Sequence, residues 1–298
     1  MQEQAETTCV SCGAVITGPF CAQCGERRLT AKDRTVTAFF GRALEEFTDV
    51  DSRLLKTLRA LIFSPGKLTV AFRRGERVGY IAPLQLFLLI NVFYFFIQPY
   101  TSFVGYNTKL DTHQTQQIYS DWLPIAEWAG NKAKALGVAS DTFETLFNYQ
   151  SEILAPTLVL LMVPMFALVM RVLLIERRDY FVDHIVFAVH FFAFQLLTMH
   201  CLIALIWPKV MDAFAKFLLL FQPAGSDDYS WIQETIYFTS EAGLSMAIIL
   251  PYVYIASRRF YALGIFRALF TTAVAYVLIY LVTFIYRFLL LALTFATI

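Results

Sequence analysis

Four cysteines carry the clearest chemistry in this chain. Cys9-Val10-Ser11-Cys12-Gly13 and Cys21-Ala22-Gln23-Cys24-Gly25 are two copies of C-x-x-C-G. Each pair sets two thiolates on one tight turn. The glycine after each second cysteine admits positive φ, which lets backbone N–H groups face the sulfurs. Two such turns supply four soft ligands to a tetrahedral metal site, with Cys9, Cys12, Cys21 and Cys24 as the ligand set. Zinc is the first fit and a single iron the second, with a redox dithiol as the remaining alternative. A closed four-thiolate site leaves no position for a substrate water, so the metal is read as structural. A segment this short cannot fold on burial alone, and metal binding supplies its stability. Cys201 stands alone in an apolar stretch and reads as a small core residue.

A second set of polar residues falls inside long apolar runs, where ionisable groups are functional candidates. The set is Asn91, Asp183, His184, His190 and Gln195. At about 100° per residue, His184 and Gln195 share a helical face with Phe191 and Thr198, while His190 and His200 point elsewhere. Three histidines spread round one helix make neither a metal triad nor a proton wire. Asp183 and His184 read as an interfacial pair. Asn91 and Gln195 lie at similar depth, which suits a hydrogen bond between helices. Structural glue is the first reading of this set and a permeation lining the second. No nucleophile elbow, H-E-x-x-H, phosphate loop or dinucleotide fingerprint occurs in the chain.

These residues need a scaffold, and composition says which kind. Hydrophobic residues make up 58% of the 298 positions and charged residues 16%. That is far from the soluble norm of about 45–50% and about 25%. One aqueous core cannot hide so much apolar surface, so part of the solvent is lipid. A net charge of +1 gives no reason to expect a nucleic-acid partner. The fold class expected is an all-α polytopic membrane protein. Five runs approach the roughly 20 apolar residues a spanning helix needs: Tyr80–Gln98, Ile153–Ile175, His184–Trp207, Phe238–Ala256 and Leu269–Leu293. Ala213–Phe221 is too short and reads as an interfacial helix. The chain then divides into a four-cysteine ribbon at 1–28, basic amphipathic juxtamembrane helices at 29–79, and a membrane domain at 80–298 with outer loops at 99–152 and 208–237.

Charge sets the orientation. With these spans, 18 of the 24 Lys/Arg fall on the side of the cysteines, leaving Lys109, Lys132, Lys134, Lys209, Lys216 and Arg287 on the other. The positive-inside rule then places the N-terminus in the cytoplasm and the C-terminus outside. A reducing cytosol also keeps the thiols available to metal. Between cysteines and spans, Val36, Phe39, Phe40, Ala43, Leu44 and Phe47 form one apolar helical face. Leu54, Leu55, Leu58, Leu61 and Ile62 form a second, with Arg53, Lys56 and Arg59 on its polar side. Ser64-Pro65 reads as a cap and first helical position, and Gly75 as a stop. Such helices anchor at the interface or dock a partner.

The ensemble resembles a large bacterial family of zinc-ribbon membrane proteins of unknown function. The resemblance rests on the paired C-x-x-C-G, Lys56-Thr57-Leu58, Ser64-Pro65-Gly66 and Arg77-x-x-Tyr80-x-x-Pro83. It rests also on the run Tyr180 to His190, on Tyr252-x-Tyr254 and on Arg258-Arg259-x-Tyr261. Asp183 stands where the family usually has glutamate. Membership implies a bacterial inner-membrane location and brings no activity. Architecture alone is similar to the paraquat-inducible A type of inner-membrane proteins, which take part in lipid transport. The first functional reading is therefore a non-enzymatic zinc-ribbon scaffold or regulator that docks a cytosolic partner in contact with the bilayer. The second is a transporter or channel for lipid or another weakly charged solute. The third is a membrane-embedded enzyme using His184, His190 or outer-loop acids.

Overall fold

The computed structural model describes residues 7–28, 35, 53–101, 106, 108–115, 122–219 and 230–298, at 7, 215, 218–219 and 230–242 by their backbone alone. The expected apolar face from Val36 to Phe47 lies outside them. Two short strands, β1 (Thr7–Thr8) and β2 (Val15–Ile16), pair antiparallel with Thr7 opposite Ile16. Helices follow: α1 (Arg53–Phe63), α2 (Lys67–Arg74), α3 (Pro83–Ile97), α4 (Leu110–Thr115), α5 (Ile125–Leu136), α6 (Ser140–Leu173) and α7 (Phe181–Gln195). A π-helical segment, Leu196–Ile203, carries α7 directly into α8 (Ala204–Leu219). The chain continues through α9 (Ser230–Tyr261) and α10 (Ile265–Thr297).

This is an all-α polytopic membrane protein. Among the described residues, four helical stretches are long and apolar enough to cross a membrane: Pro83–Tyr100, Ser140–Leu173, Phe181–Phe214 and Ile265–Thr297. The fifth expected span, Phe238–Ala256, lies within α9, whose side chains are described only from Gly243 onward. Helices also run past the ends that hydropathy marks. α6 begins at Ser140 rather than Ile153, because polar helical turns precede its apolar part. Residues 213–219, expected as a separate interfacial helix, are the last turns of α8.

The chain packs as two compact units. The first holds residues 1–102 and 167–276. Its centre is α7, along which every residue from Val182 to Phe194 is buried. α3, α2 and α1 all pack against α7, and α9 packs against α2. Pro83 opens α3 at a position where the missing N–H costs nothing. The turn between α1 and α2 differs from the sequence expectation. Ser64-Pro65 stays in the turn and Gly66 is the N-cap of α2, at φ +76°. A Cβ on Gly66 would meet the Ala256 backbone at 2.9 Å, so close approach of α9 dictates glycine here. Gly75 ends α2 at φ +93°, as expected, with its N–H on the carbonyls of Ala71 and Phe72. The buried face of α1 is Thr57, Ala60 and Leu61, whereas Leu55 of the expected apolar face is 79% exposed.

The second unit holds residues 103–166 and 277–298. Much of the stretch expected as an outer loop, 99–152, is helical here, in α4, α5 and the start of α6. It has a core of its own: Leu110, Ile125, Ala129, Ala133, Phe143, Phe147 and Leu291. Tyr286 is buried and donates its hydroxyl to the Tyr106 carbonyl at 3.0 Å. Asn148 accepts the Leu110 N–H at 2.9 Å and fixes the start of α4. His113 is fully buried and meets the Phe147 ring edge-on at 5.9 Å.

Burial depresses the His113 pKa to about 4, and the Arg287 cation adds to the shift against a smaller opposing pull from Asp111. The folded value lies below the ordinary 6.5, so the unfolded chain binds the extra proton first as pH falls. Stability from the neutral ring is fully present above about pH 6.5 and is lost as pH drops toward 4, by about 3 kcal/mol at the extreme. Hydrogen exchange in α5 should therefore accelerate between pH 6.5 and 4, and His113→Leu should flatten that dependence. An unchanged acid response in the variant would remove His113 as its cause.

Candidate metal centre and its membrane anchor

The two C-x-x-C-G segments fold as near copies. In the first, Cys9 N–H donates to the Ala14 carbonyl at 2.7 Å and Gly13 N–H to the Cys9 carbonyl at 2.8 Å. In the second, Cys21 N–H donates to the Glu26 carbonyl at 2.8 Å and Gly25 N–H to the Cys21 carbonyl at 2.9 Å. Gly13 and Gly25 adopt φ +76° and +74°, the left-handed conformation that glycine at these positions admits. The β1–β2 hairpin carries the first turn, and a bridge between Phe20 and Arg27 closes the second.

This geometry brings the four sulfurs together. Cys9 Sγ lies 3.5 Å from Cys24 Sγ, and Cys12 Sγ lies 3.5 Å from Cys21 Sγ, so each close pair joins the two turns. The four Sγ atoms all lie within 4.8 Å of one another. A tetrahedron of sulfurs about 2.3 Å from a central ion has edges of about 3.8 Å, so a metal such as zinc fits the cluster. Electrostatics agree. The Cys24 and Gln23 backbone N–H groups lower the Cys21 thiol to about 7. Cys24 receives the Glu26 N–H, yet partial burial and the sulfurs of Cys12, Cys9 and Cys21 push it up to about 12. Four thiols so close cannot all ionise without a cation among them.

Glu26, which the sequence reading passed over, anchors this segment. It is 1% exposed, and its Oε2 accepts three hydrogen bonds. Ser11 Oγ of the first turn donates at 2.7 Å, Arg77 N–H at 2.9 Å and Val78 N–H at 3.1 Å. One carboxylate thus joins the cysteine turns to the chain leading into α3. Thr57 adds a tie from α1, donating to the Arg53 carbonyl at 2.8 Å and accepting the Ile81 N–H at 3.1 Å.

The expected intramembrane residues do not form one cluster. Asp183 caps its own helix, its Oδ2 accepting the Tyr180 N–H at 3.3 Å. His184 is fully buried; its Nδ1 shares a 2.8 Å hydrogen bond with the Tyr261 hydroxyl, and the two rings stack at 5.4 Å. His190 lies deeper, with Nδ1 3.0 Å from Thr69 Oγ1 of α2. Tyr252 donates to the His190 carbonyl at 3.4 Å and stacks on Phe194 at 3.7 Å. Asn91 is buried on α3, and half-buried Gln195 stands at the start of the π segment. Past Gln195 the wider π turn shifts the helical phase, and His200 meets the Tyr94 ring at 5.6 Å.

Charged residues close one end of this unit. Arg73 donates to the Phe260 carbonyl at 2.7 Å and pairs with Asp179 at 3.5 Å. Asp179 also holds Arg177 at 2.7 Å, Arg267 pairs with Glu176 at 3.0 Å, and Arg259 donates to the Pro65 carbonyl at 2.9 Å. α7 leaves from this end and the last turn of α9 returns to it.

Fold and site together define a polytopic helical membrane protein bearing a four-cysteine metal-type cluster. A family described as a protein of unknown function, DUF3667, matches residues 51–95, which cover α1, α2 and nearly all of α3. No curated protein and no solved structure matches the chain.

Purified, reduced protein should hold one metal ion per chain, and Cys12→Ser should lose most of it. Hydrogen exchange in that variant should rise across residues 9–25, while the spanning helices, which satisfy their own backbone groups, still insert. Glu26→Ala should keep the metal but raise exchange at Arg77 and Val78, since three donors lose one acceptor worth about 1–3 kcal/mol. Metal content below about half an equivalent would rule out the site.

Proposed function

We propose that this protein is a non-enzymatic membrane scaffold or regulator whose four cysteines bind one structural zinc ion and present the ribbon to a cytosolic protein. The supporting observation is the Glu26 anchor. A closed four-thiolate site has no catalytic position, and its attachment to residues 77–78 makes the ribbon a fixed outgrowth of the membrane domain. Zinc suits four thiolates better than iron by ligand preference and by its lack of redox chemistry. The ribbon also displays Val10, Val15 and Phe20 to solvent, each more than half exposed, which gives it apolar surface for a partner.

The location that fits is a bacterial inner membrane with the ribbon in the cytoplasm and the C-terminus in the periplasm. The excess of Lys/Arg near the ribbon supports this orientation. So does the meeting of Arg73, Arg177, Arg259 and Arg267 contacts at one end of the first unit. A return of the chain to that end through α9 makes five crossings.

A second reading, transport of lipid or another weakly charged solute, draws on the π-helical segment, since π segments recur at functional sites. Half-buried Gln195 at its start has no hydrogen-bond partner for Oε1 among the described residues.

A periplasm-active reporter after Ile298 should be active and a cytosolic reporter before Met1 fluorescent. A photo-crosslinker at Phe20 should trap the same cytosolic protein reproducibly, and Cys12→Ser should abolish the adduct without loss of the inserted helices. Solute flux in proteoliposomes that survives Cys12→Ser, with no adduct at Phe20, would favour the transport reading.

A further inference from the structure

Two large apolar side chains of α1, Leu55 of the expected packing face and Phe63 at the helix end, are turned outward. Leu55 is 79% exposed and Phe63 75% exposed. With Arg59 they recur every four residues and form one stripe along the helix. Beside this stripe a cavity of about 470 Å³ opens between α1, the start of α2 and Tyr80. Its charged lining residues are Lys56, Arg59 and Lys67, with no acidic side chain among them.

None of these three cations forms an ion pair with a described residue. Lys56 is instead held by packing: its Nζ sits 4.9 Å from the Tyr80 ring centroid, over the ring face. Lys67 is placed by the turn in which Gly66 presses on Ala256 and Arg259 holds the Pro65 carbonyl. Lys56 and Lys67 are therefore positioned by fixed elements. Like charges gathered without counter-ions repel one another, and an anion between them removes that cost.

We propose that this cleft binds the phosphate of an anionic membrane phospholipid, with the acyl chains lying along Leu55 and Phe63. A membrane lipid is the occupant because the same stripe that carries Arg59 carries two nearly bare apolar side chains. The cleft also lies where α1 and α2, packed on the membrane helices, lead into α3. A soluble anion would use the three cations and leave Leu55 and Phe63 in water. The site is separate from the cysteine cluster, so its failure leaves the docking proposal standing.

The test uses full-length protein in zwitterionic detergent and native mass spectrometry, with dioctanoyl phosphatidylglycerol and dioctanoyl phosphatidylcholine as probes. The wild type should retain phosphatidylglycerol in preference. At about fivefold per cation, Lys56→Gln/Arg59→Gln/Lys67→Gln should weaken that binding by about 100-fold. All three side chains are exposed, so the fold should persist, checked by circular dichroism and gel filtration. A charge-matched control, Lys134→Gln/Lys209→Gln/Lys216→Gln, should retain the lipid. Leu55→Ser/Phe63→Ser should weaken the lipid and leave competition by inorganic phosphate unchanged. Equal retention of the two lipids, or full binding by the triple variant, overturns the proposal. Displacement by equimolar inorganic phosphate would reassign the cleft to a free anion, and displacement by a polyglutamate peptide to an acidic protein.

Discussion

Burial of α7 is the constraint on which the first unit depends. A helix buried from Val182 to Phe194 keeps its polar side chains from water, and both of its histidines find a partner on a neighbour. His184 reaches Tyr261 and His190 reaches Thr69. Those two contacts help fix where α9 and α2 stand. α2 is therefore more than an amphipathic float on the bilayer surface. It packs edge-in, with Leu68, Thr69 and Ala71 buried and its glycine-capped start against Ala256.

The same logic explains the charged end. Arg73 reaches the Phe260 carbonyl, covers the Phe260 ring at 4.2 Å and touches Asp179. One guanidinium thereby ties α2 to the end of α9 and to the turn before α7. Partly shielded, multiply bonded arginines of this kind hold geometry better than isolated surface pairs such as Lys216–Asp212.

Local spacing made the cysteine cluster legible. Cys9, Cys12, Cys21 and Cys24 need only two tight turns to meet, and each turn is written in five consecutive residues. The helical membrane class was equally plain from apolar runs. What periodicity could not supply were partners far apart in the chain. Glu26 meets Arg77 across 51 residues, His184 meets Tyr261 across 77, and Thr69 meets His190 across 121. Nothing in the neighbourhood of Glu26 separates it from an ordinary surface acid. The α1 face is shifted at Leu55 for a related reason. The Thr57 hydroxyl satisfies the Ile81 N–H, and the buried face includes Thr57, Ala60 and Leu61 while Leu55 points away from it.

The Glu26 carboxylate also bears on the order in which the molecule is made. Residues 9–26 leave the ribosome before residues 77–78 exist, so on the nascent chain only Ser11 is there to meet Glu26 Oε2, and water must serve the rest. The cysteine turns can close on a metal at that stage, because all four ligands and both turn glycines are already synthesised. Their seat arrives about 50 residues later with Arg77 and Val78, just ahead of α3. The backbone amides at 77–78 can therefore exchange solvent for carboxylate only after the chain of the two turns is complete.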